Sequence, residues 1–156
     1  FRSRLNSETY EELVDRFCEI CGVGIQTALA YIVTIEDPHR FRSSKQVGAY
    51  FGLAPSVSNS GNEDTEENKT GSITKQGDEL VRSLLVQAAH TMLRSDQRDS
   101  ELRRFGKRIE AKKGKHKAVV ALARKLSVVM HTLWVTGREY DPFYYEHHYA
   151  DENETR

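Results

Sequence analysis

The sequence predicts an all-α fold: a compact helical domain with a helix-hairpin-helix-like element and one long functional loop. Three observations predict it. Apolar residues recur at helical spacing in several segments, no alternating strand pattern extends beyond a few residues, and only three of the 156 residues are proline. With 38% hydrophobic and 29% charged residues, the chain is neither disordered, nor collagen-like, nor a disulfide scaffold.

The first two helices are predicted to form the helix-hairpin-helix-like element over residues 8–36. Asn6 and Ser7 are the cap candidates of the first helix. Its apolar positions are Tyr10, Leu13, Val14 and Phe17. The second helix is predicted to end before Asp37-Pro38. Its apolar positions are Ile25, Ala28, Leu29, Ile32 and Ile35.

The remaining helices are predicted from the same spacing. A short one begins near Ser43 or Ser44 and is expected to bury Val47, Tyr50 and Phe51, and residues 52–74 follow as a loop. The strongest amphipathic pattern is Leu80, Val81, Leu84, Leu85, Ala88, Ala89 and Met92. A basic helix is indicated by Leu102, Phe105 and Ile109, and a last long one by Val119, Ala123, Leu126, Val129, Met130 and Leu133.

The charges are segregated along the chain although they cancel overall, with 23 basic and 23 acidic residues. Between residues 103 and 125 the only acid is Glu110, so that stretch carries +9 and the rest −9. Such a block is either a solvated helix face or a phosphate-binding surface, and charge alone slightly favours the solvated face. Its candidate phosphate ligands are Arg103, Arg104, Lys107, Lys112, Lys113, Lys115 and Arg124.

The chain ends are expected to differ from the body of the domain, residues 1–142. Residues 143–156 read as an acidic, weakly ordered tail. The chain opens Phe1-Arg2-Ser3-Arg4, with no initiator Met and no signal-peptide pattern, so we expect a fragment of a longer protein. No apolar run approaches the roughly 20 residues of a membrane span, and we therefore expect a soluble protein without a membrane partner.

Cys18 and Cys21 form a lone Cys-x-x-Cys pair. The spacing is compatible with half a zinc site or a redox pair, but no second cysteine pair exists and the nearest histidine, His39, is too far along the chain. Two small apolar residues at a helix end are the favoured interpretation. We therefore predict no metal site and no cofactor in this chain, and a reducing, cytoplasmic compartment.

Gly22-Val23-Gly24 is the first candidate for a function. Two glycines around one apolar residue allow a tight hairpin whose outward N–H groups, together with the next helix N-terminus, hold a phosphate. A helix-hairpin-helix element grips the DNA backbone in this way without reading sequence. The alternative is a plain connection between two helices with glycine caps.

The second candidate is the loop that carries Ser56, Ser58 and Ser60. Lys75 lies just ahead of the strongest helix and Arg82 about one turn inside it, so a serine hydroxyl here has cations and a helix N-terminus nearby for attack on a phosphate. Serine-rich loops more often only turn the chain or cap a helix. No hydrolase elbow, P-loop or dinucleotide fingerprint is present.

Taken in order, eight motifs carry a family resemblance that spans about residues 20–142. They are Gly22-Val23-Gly24, residues 40–44, residues 49–55, Ser60-Gly61, residues 71–78, residues 82–85, residues 123–126 and residues 140–143. The set resembles the C-terminal domain of the "one-ten" insertion-sequence transposases, the group that includes the Piv/MooV-type DNA invertases.

The resemblance implies a recombinase that cuts and rejoins DNA. An N-terminal RuvC-like domain, absent from this chain, would bind divalent metal (Mg²⁺) through four acidic residues. Ser60 would be the nucleophile of a covalent phosphoserine link, with Ser58 and Ser56 as fallback choices, and Lys75 and Arg82 would contact phosphate. A structured bridge RNA as guide, a homo-oligomer, and a nucleoid-associated place in the bacterial or archaeal cytoplasm are further expectations.

Two departures from the family pattern stand out. Residues 63–67 are acidic where relatives are more basic or glycine-rich, and acids near a phosphate would repel it, so we expect this segment to point away or move on assembly. Cys21 replaces a usual proline.

Three function classes stay open on the sequence. The first is the catalytic domain of a serine-using transposase, inactive alone. The second is a non-catalytic nucleic-acid-binding module, for which the hairpin and the basic stretch suffice. The third, a helical interaction domain without a nucleic-acid role, ranks last because it explains neither the hairpin nor the order of motifs.

Overall fold

The computed structural model describes residues 8–55, 75, 77–94 and 96–149. Within these ranges the chain forms α-helices, one 3-10 turn at Pro38–Arg40 and no sheet, which confirms the all-α prediction. The helices are α1 (Tyr10–Cys18), α2 (Ile25–Ile35), α3 (Lys45–Tyr50), α4 (Glu79–Met92), α5 (Glu101–Lys113), α6 (Lys115–Thr136) and α7 (Tyr144–Tyr149).

Side-chain caps explain where three of these helices begin. Thr9 caps α1 in a reciprocal capping box with Glu12, so the cap lies two residues beyond the predicted Ser7. Asp78 accepts a hydrogen bond from the Val81 N–H at the start of α4. Ser100 does the same for the Arg103 N–H at the start of α5.

The core is organised around α6, which packs against α3, α4 and α5. This helix has 22 residues and a mean hydropathy of 1.4 over its most apolar window, long and apolar enough to cross a membrane. The expectation that no such run exists is therefore wrong. Nine of its residues are buried in the domain, and the buried Tyr31 hydroxyl donates to the Ser127 carbonyl at 2.7 Å, so α6 has the environment of a core helix.

Tyr50, which was predicted to be buried, and several residues of the predicted apolar patterns are exposed. Leu80 is 57% exposed on α4 and Tyr50 is 37% exposed at the end of α3. The other exposed positions are Tyr10, Ile25 and Leu29. They lie at the margins of otherwise apolar faces, where helical periodicity gives the direction of a side chain but not how far the neighbouring helix extends over it.

The tail is ordered further than expected, because residues 144–149 form α7. Arg104 on α5 pairs with Glu146, and the Glu146 N–H donates to the Glu101 carboxylate at 2.9 Å. These contacts connect positions more than 40 residues apart in the sequence. The remaining tail positions, 150–156, lie outside the described residues.

Candidate nucleic-acid interface

The glycine hairpin (Gly22, Val23 and Gly24) rests against the middle of α4. Gly22 has φ of +86°, and a Cβ there would lie 2.5 Å from the Ala88 carbonyl oxygen. Val23 is buried at 5% exposure, and its N–H donates to the Ile20 carbonyl. The turn is therefore held in place by a glycine that no other residue replaces without strain.

The outer side of the glycine hairpin is open. Gly24 is the N-cap of α2 and makes no side-chain hydrogen bond, and nothing lies within 4 Å of the Cβ position at this residue. Gly24, Ile25 and Gln26 are exposed. Because the first-turn N–H groups of a helix have no partner within the helix, this end of α2 presents donors and a partial positive charge to solvent.

Two arginines flank the glycine hairpin. Cys21 Sγ donates to Gln97 Oε1 at 3.2 Å, which ties the hairpin to the segment after α4. Burial raises the pKa of Cys21, while Arg103 and Arg98 oppose that rise electrostatically and Asp96 adds to it, so charges of both signs act on the residue that precedes the hairpin. Arg103 was predicted. Arg98 was not predicted because it lies outside the basic stretch. It comes near Cys21 because its neighbour Gln97 hydrogen-bonds to Cys21.

The ends of the long loop meet at one place. The Lys75 N–H donates to the Gly52 carbonyl at 3.1 Å, and Gly77 has φ of +89° with its Cα against the Tyr50 carbonyl. Arg82, half-buried one turn into α4, directs Nη1 toward the Phe51 carbonyl at 3.4 Å. We call these four residues, Gly52, Lys75, Gly77 and Arg82, the loop base. Lys75 is exposed there.

Lys75 and Arg82 thus lie on either side of the N-terminus of α4, and each hydrogen-bonds to a carbonyl of the residues that follow α3. Their predicted contacts with phosphate stay a prediction. The predicted nucleophile Ser60 and its alternatives Ser58 and Ser56 lie outside the described residues, as does most of the predicted loop 52–74. The structure does describe how this segment begins and ends. Gly52 follows α3, Lys75 precedes α4, and a hydrogen bond joins the two.

Aromatic residues pack next to the loop base. The Arg40 guanidinium lies 4.8 Å from the centre of the Tyr50 ring, and the Phe51 ring contacts the buried Tyr31 ring at 5.4 Å. Tyr31 is six residues along α2 from Ile25, an axial distance of about 9 Å. The hairpin and the loop base are thus separate sites, one at the N-terminus of α2 and the other reached through Tyr31 near the middle of that helix.

The basic stretch divides into two parts. Arg104 is held by Asp99 at 2.7 Å and by Glu146, and Lys107 pairs with Glu110 at 3.0 Å. At the α5–α6 elbow (residues 112–117), four exposed lysines have no ion pair with any described residue. They are Lys112, Lys113, Lys115 and Lys117.

Arg124 is half-buried on α6 with its stem across Gly48 of α3, where a Cβ would lie 2.6 Å from the arginine Cγ. It therefore lies on the loop-base side of α6. Of the seven predicted cations in this stretch, Arg104 and Lys107 are occupied by carboxylates, and Arg124 lies across Gly48. Lys112, Lys113 and Lys115 at the elbow have no ion pair with a described residue, and the seventh, Arg103, donates to the Arg94 carbonyl at 3.1 Å.

The described residues contain no group of three or more His, Cys, Asp or Glu side chains placed to hold a metal ion. Cys18 and Cys21 are free thiols, and burial raises the pKa of each. The described side chains therefore do not form a four-carboxylate Mg²⁺ site, which the resemblance places in another domain.

Comparison with known proteins gives consistent matches. Residues 14–104 match the model of the transposase IS116/IS110/IS902 family. The chain is 32% identical over 126 residues to the transposase for insertion sequence element IS1111A of Coxiella burnetii, covering 80% of this chain and 34% of that protein. It is 32% identical over 123 residues to the pilin gene-inverting protein of Moraxella lacunata, covering 78% and 37%.

A putative transposase of Sinorhizobium fredii is 30% identical over 132 residues, covering 83% of this chain and 33% of the relative. The chain thus spans about a third of the length of each of these relatives.

Proposed function

The chain belongs to the IS116/IS110/IS902 transposase family, and from that premise we propose that it is the serine-bearing part of an enzyme that cuts and rejoins DNA. The observation that carries the proposal is the loop base. The segment between Gly52 and Lys75 carries Ser56, Ser58, Ser60 and Ser72, and its two ends are joined by the hydrogen bond from the Lys75 N–H to the Gly52 carbonyl, with Arg82 one turn into the following helix. Relatives named as a transposase and as a gene-inverting protein support DNA as the substrate.

The chemistry follows from a serine alcohol meeting a phosphodiester. The Ser60 oxygen attacks phosphorus and loses its proton, the bond from phosphorus to one deoxyribose oxygen breaks, and that oxygen leaves as a protonated hydroxyl. The product is a phosphoserine diester, so a hydroxyl from another strand reverses the step and rejoins DNA without a nucleotide cofactor. Lys75 and Arg82 would stabilise the charge that develops on the phosphate oxygens, whereas the N-terminus of α4 is already capped by Asp78.

Three parts of the proposal reach beyond this chain. A RuvC-like domain would supply four carboxylates and divalent metal. A structured RNA would guide target choice. At least two protomers would act together, because strand exchange joins two duplexes. All three are expectations from the family resemblance.

The test uses a chimaera in which this chain replaces the matching segment of the Moraxella lacunata pilin gene-inverting protein. DNA carrying the recombination site of that protein is incubated with it, and covalent protein–DNA adducts are separated under denaturing conditions. We expect adducts with the chimaera and with Ser58→Ala, and none with Ser60→Ala. Adducts that persist in Ser60→Ala, or a folded chimaera that forms none, would count against the proposal.

The second candidate function, a nucleic-acid-binding module without catalysis, is favoured by the open glycine hairpin and by the elbow lysines, which have no ion pair with a described residue. Both features would bind phosphate without any serine. This candidate predicts duplex binding that weakens steeply with salt through counterion release, whatever residue stands at position 60. The two candidates share the binding surface, and the adduct assay separates them.

A further inference from the structure

A groove opens between α5, α6 and the segment that leads into α7. It encloses about 400 Å³, within the range of small-ligand sites of roughly 300–1,000 Å³. Val128, Val129 and Leu133 supply apolar lining from α6, and Phe105 supplies an aromatic ring from α5. The function proposed above uses none of these residues.

The acidic side chains of the groove already have partners, whereas two of its basic side chains have no ion pair with a described residue. Its three carboxylates already have partners: Glu146 pairs with Arg104, Glu101 accepts the Glu146 N–H at 2.9 Å, and Asp141 accepts from the Phe143 N–H at 2.9 Å and contacts His147 at 2.7 Å. Arg108 and Lys125 are exposed there and have no ion pair with a described residue. The groove is therefore prepared for an anion.

The rim of the groove is aromatic. Tyr145 is 60% exposed, and Tyr149, one turn further along α7, is 47% exposed with its ring 5.6 Å from that of Tyr145. Tyr144 beneath them is covered by the Arg138 guanidinium at 3.6 Å. Arg108 and Lys125 have no ion pair with a described residue, and Lys125 Nζ lies 5.2 Å from the centre of the Phe105 ring. Exposed flat rings in a groove with such cations match a ligand that has both a π-face and a phosphate.

We propose that this groove binds an unpaired nucleotide of single-stranded DNA, with its phosphate on Arg108 and Lys125 and its base stacked on Tyr145. The inference rests on the proposed function, since cutting and rejoining DNA exposes unpaired bases. A base is buried within a duplex and displays its face only when it is unpaired, so Tyr145 selects single strands while the cations alone do not.

The experiment measures binding of the full chain to a fluorescently labelled 12-nucleotide oligo-dT, to a duplex of equal length and to the matching oligo-U, at fixed low salt. We expect Tyr145→Ala to weaken oligo-dT binding about tenfold and Tyr145→Phe to retain it. Arg108→Gln is expected to weaken it severalfold. Tyr10→Ala, which removes another exposed tyrosine, is the matched control and is expected to change nothing.

Each other outcome overturns the inference in a distinct way. If Tyr145→Ala leaves oligo-dT binding unchanged, or weakens duplex binding equally, the groove is only a charged surface. If Tyr145 contributes to oligo-U binding but not to oligo-dT binding, the ligand is RNA. A photo-crosslink from 5-iodouracil in the oligonucleotide is expected in the peptide that carries Tyr145, and a crosslink confined to other peptides contradicts the proposal. Duplex binding and Ser60-dependent adducts test the proposed function separately.

Discussion

The glycine hairpin and the loop base are built alike and differ in what they present. Each depends on a glycine at nearly the same φ, +86° at Gly22 and +89° at Gly77, whose Cα faces a backbone carbonyl of a neighbouring helix or its end. At the hairpin the outward groups are the backbone N–H groups of α2. At the loop base they are the side chains of Lys75 and Arg82, beside a segment that carries serines.

The difference indicates a division of labour. Backbone donors at a helix N-terminus hold a phosphate in place and read no sequence. Side-chain cations held beside a hydroxyl are suited to charge that develops during a reaction. We therefore interpret the hairpin as a positioning site and the loop base as the reacting site, and the following predictions, ordered from the largest expected effect, test that distinction.

Gly77→Ala is expected to have the largest effect. A Cβ at this residue would collide with the Tyr50 carbonyl, and φ of +89° is strained for alanine, so unfolding should become easier by about 4 kcal/mol. Denaturant melts measure this change. Amide exchange is expected to rise first at Phe51 and Gly52, before Val23 at the hairpin.

Gly22→Ala should cost about 3 kcal/mol for the same two reasons. Gly114→Ala is the matched control, because Gly114 has φ of +88° but nothing within 4 Å of its Cβ position. It should cost only the backbone strain, about 1–2 kcal/mol. Equal losses in the two variants would mean that the contact of Gly22 with Ala88 does not stabilise the hairpin.

Neutralising one cation in each region should separate binding from reaction. In the chimaera, Lys75→Gln is expected to slow adduct formation about tenfold at saturating DNA. Arg98→Gln should leave that rate unchanged, weaken duplex binding, and reduce the salt dependence of binding by about one phosphate contact. If Lys75→Gln instead weakened duplex binding and Arg98→Gln slowed adduct formation, the hairpin would be the reacting site and the loop base the positioning site.

His131 should make stability depend on pH at the loop-base end of the molecule. Its Nε2–H donates to the Pro38 carbonyl at 2.7 Å, so Nδ1 accepts from the Ser44 hydroxyl at 2.8 Å, just ahead of α3. Burial lowers the pKa of His131, the Pro38 hydrogen bond opposes that shift, and His39 adds to it.

The folded state therefore binds a proton at His131 less readily than the unfolded chain, whose histidine has a pKa near 6.5. The stabilisation is fully present above about pH 6.5 and is lost as the pH falls through that value toward the lowered folded pKa. Thermal melts between pH 7.5 and 5.5 should show a shallower pH dependence in His131→Gln. His116→Gln, at the exposed elbow, should retain the original slope.

The helices were predictable because their signals are local. Periodicity placed the buried stripe of α4 from Val81 to Met92, and Gly22 and Gly24 marked the hairpin. The loop was predicted from its composition. The contact between its two ends was not predicted, because the hydrogen bond from the Lys75 N–H to the Gly52 carbonyl joins residues 23 positions apart.

The electrostatics were the least predictable part. The sequence makes Arg104 and Lys112 look equivalent within one basic stretch, but Arg104 is bound by Asp99 and by Glu146 of the tail helix. Arg98 reaches the glycine hairpin only through the contact between Cys21 and Gln97. Net charge can be counted from a sequence, whereas the charge available to a ligand depends on pairs that form in three dimensions.

The account depends most on the identity of the atom that becomes linked to DNA. Trapped adducts of the chimaera can be digested with nuclease and protease, and the modified peptide sequenced by mass spectrometry. The account predicts a nucleotide on Ser60. A nucleotide on Ser56, on Ser58, on a tyrosine, or on a residue of the partner segments would contradict it.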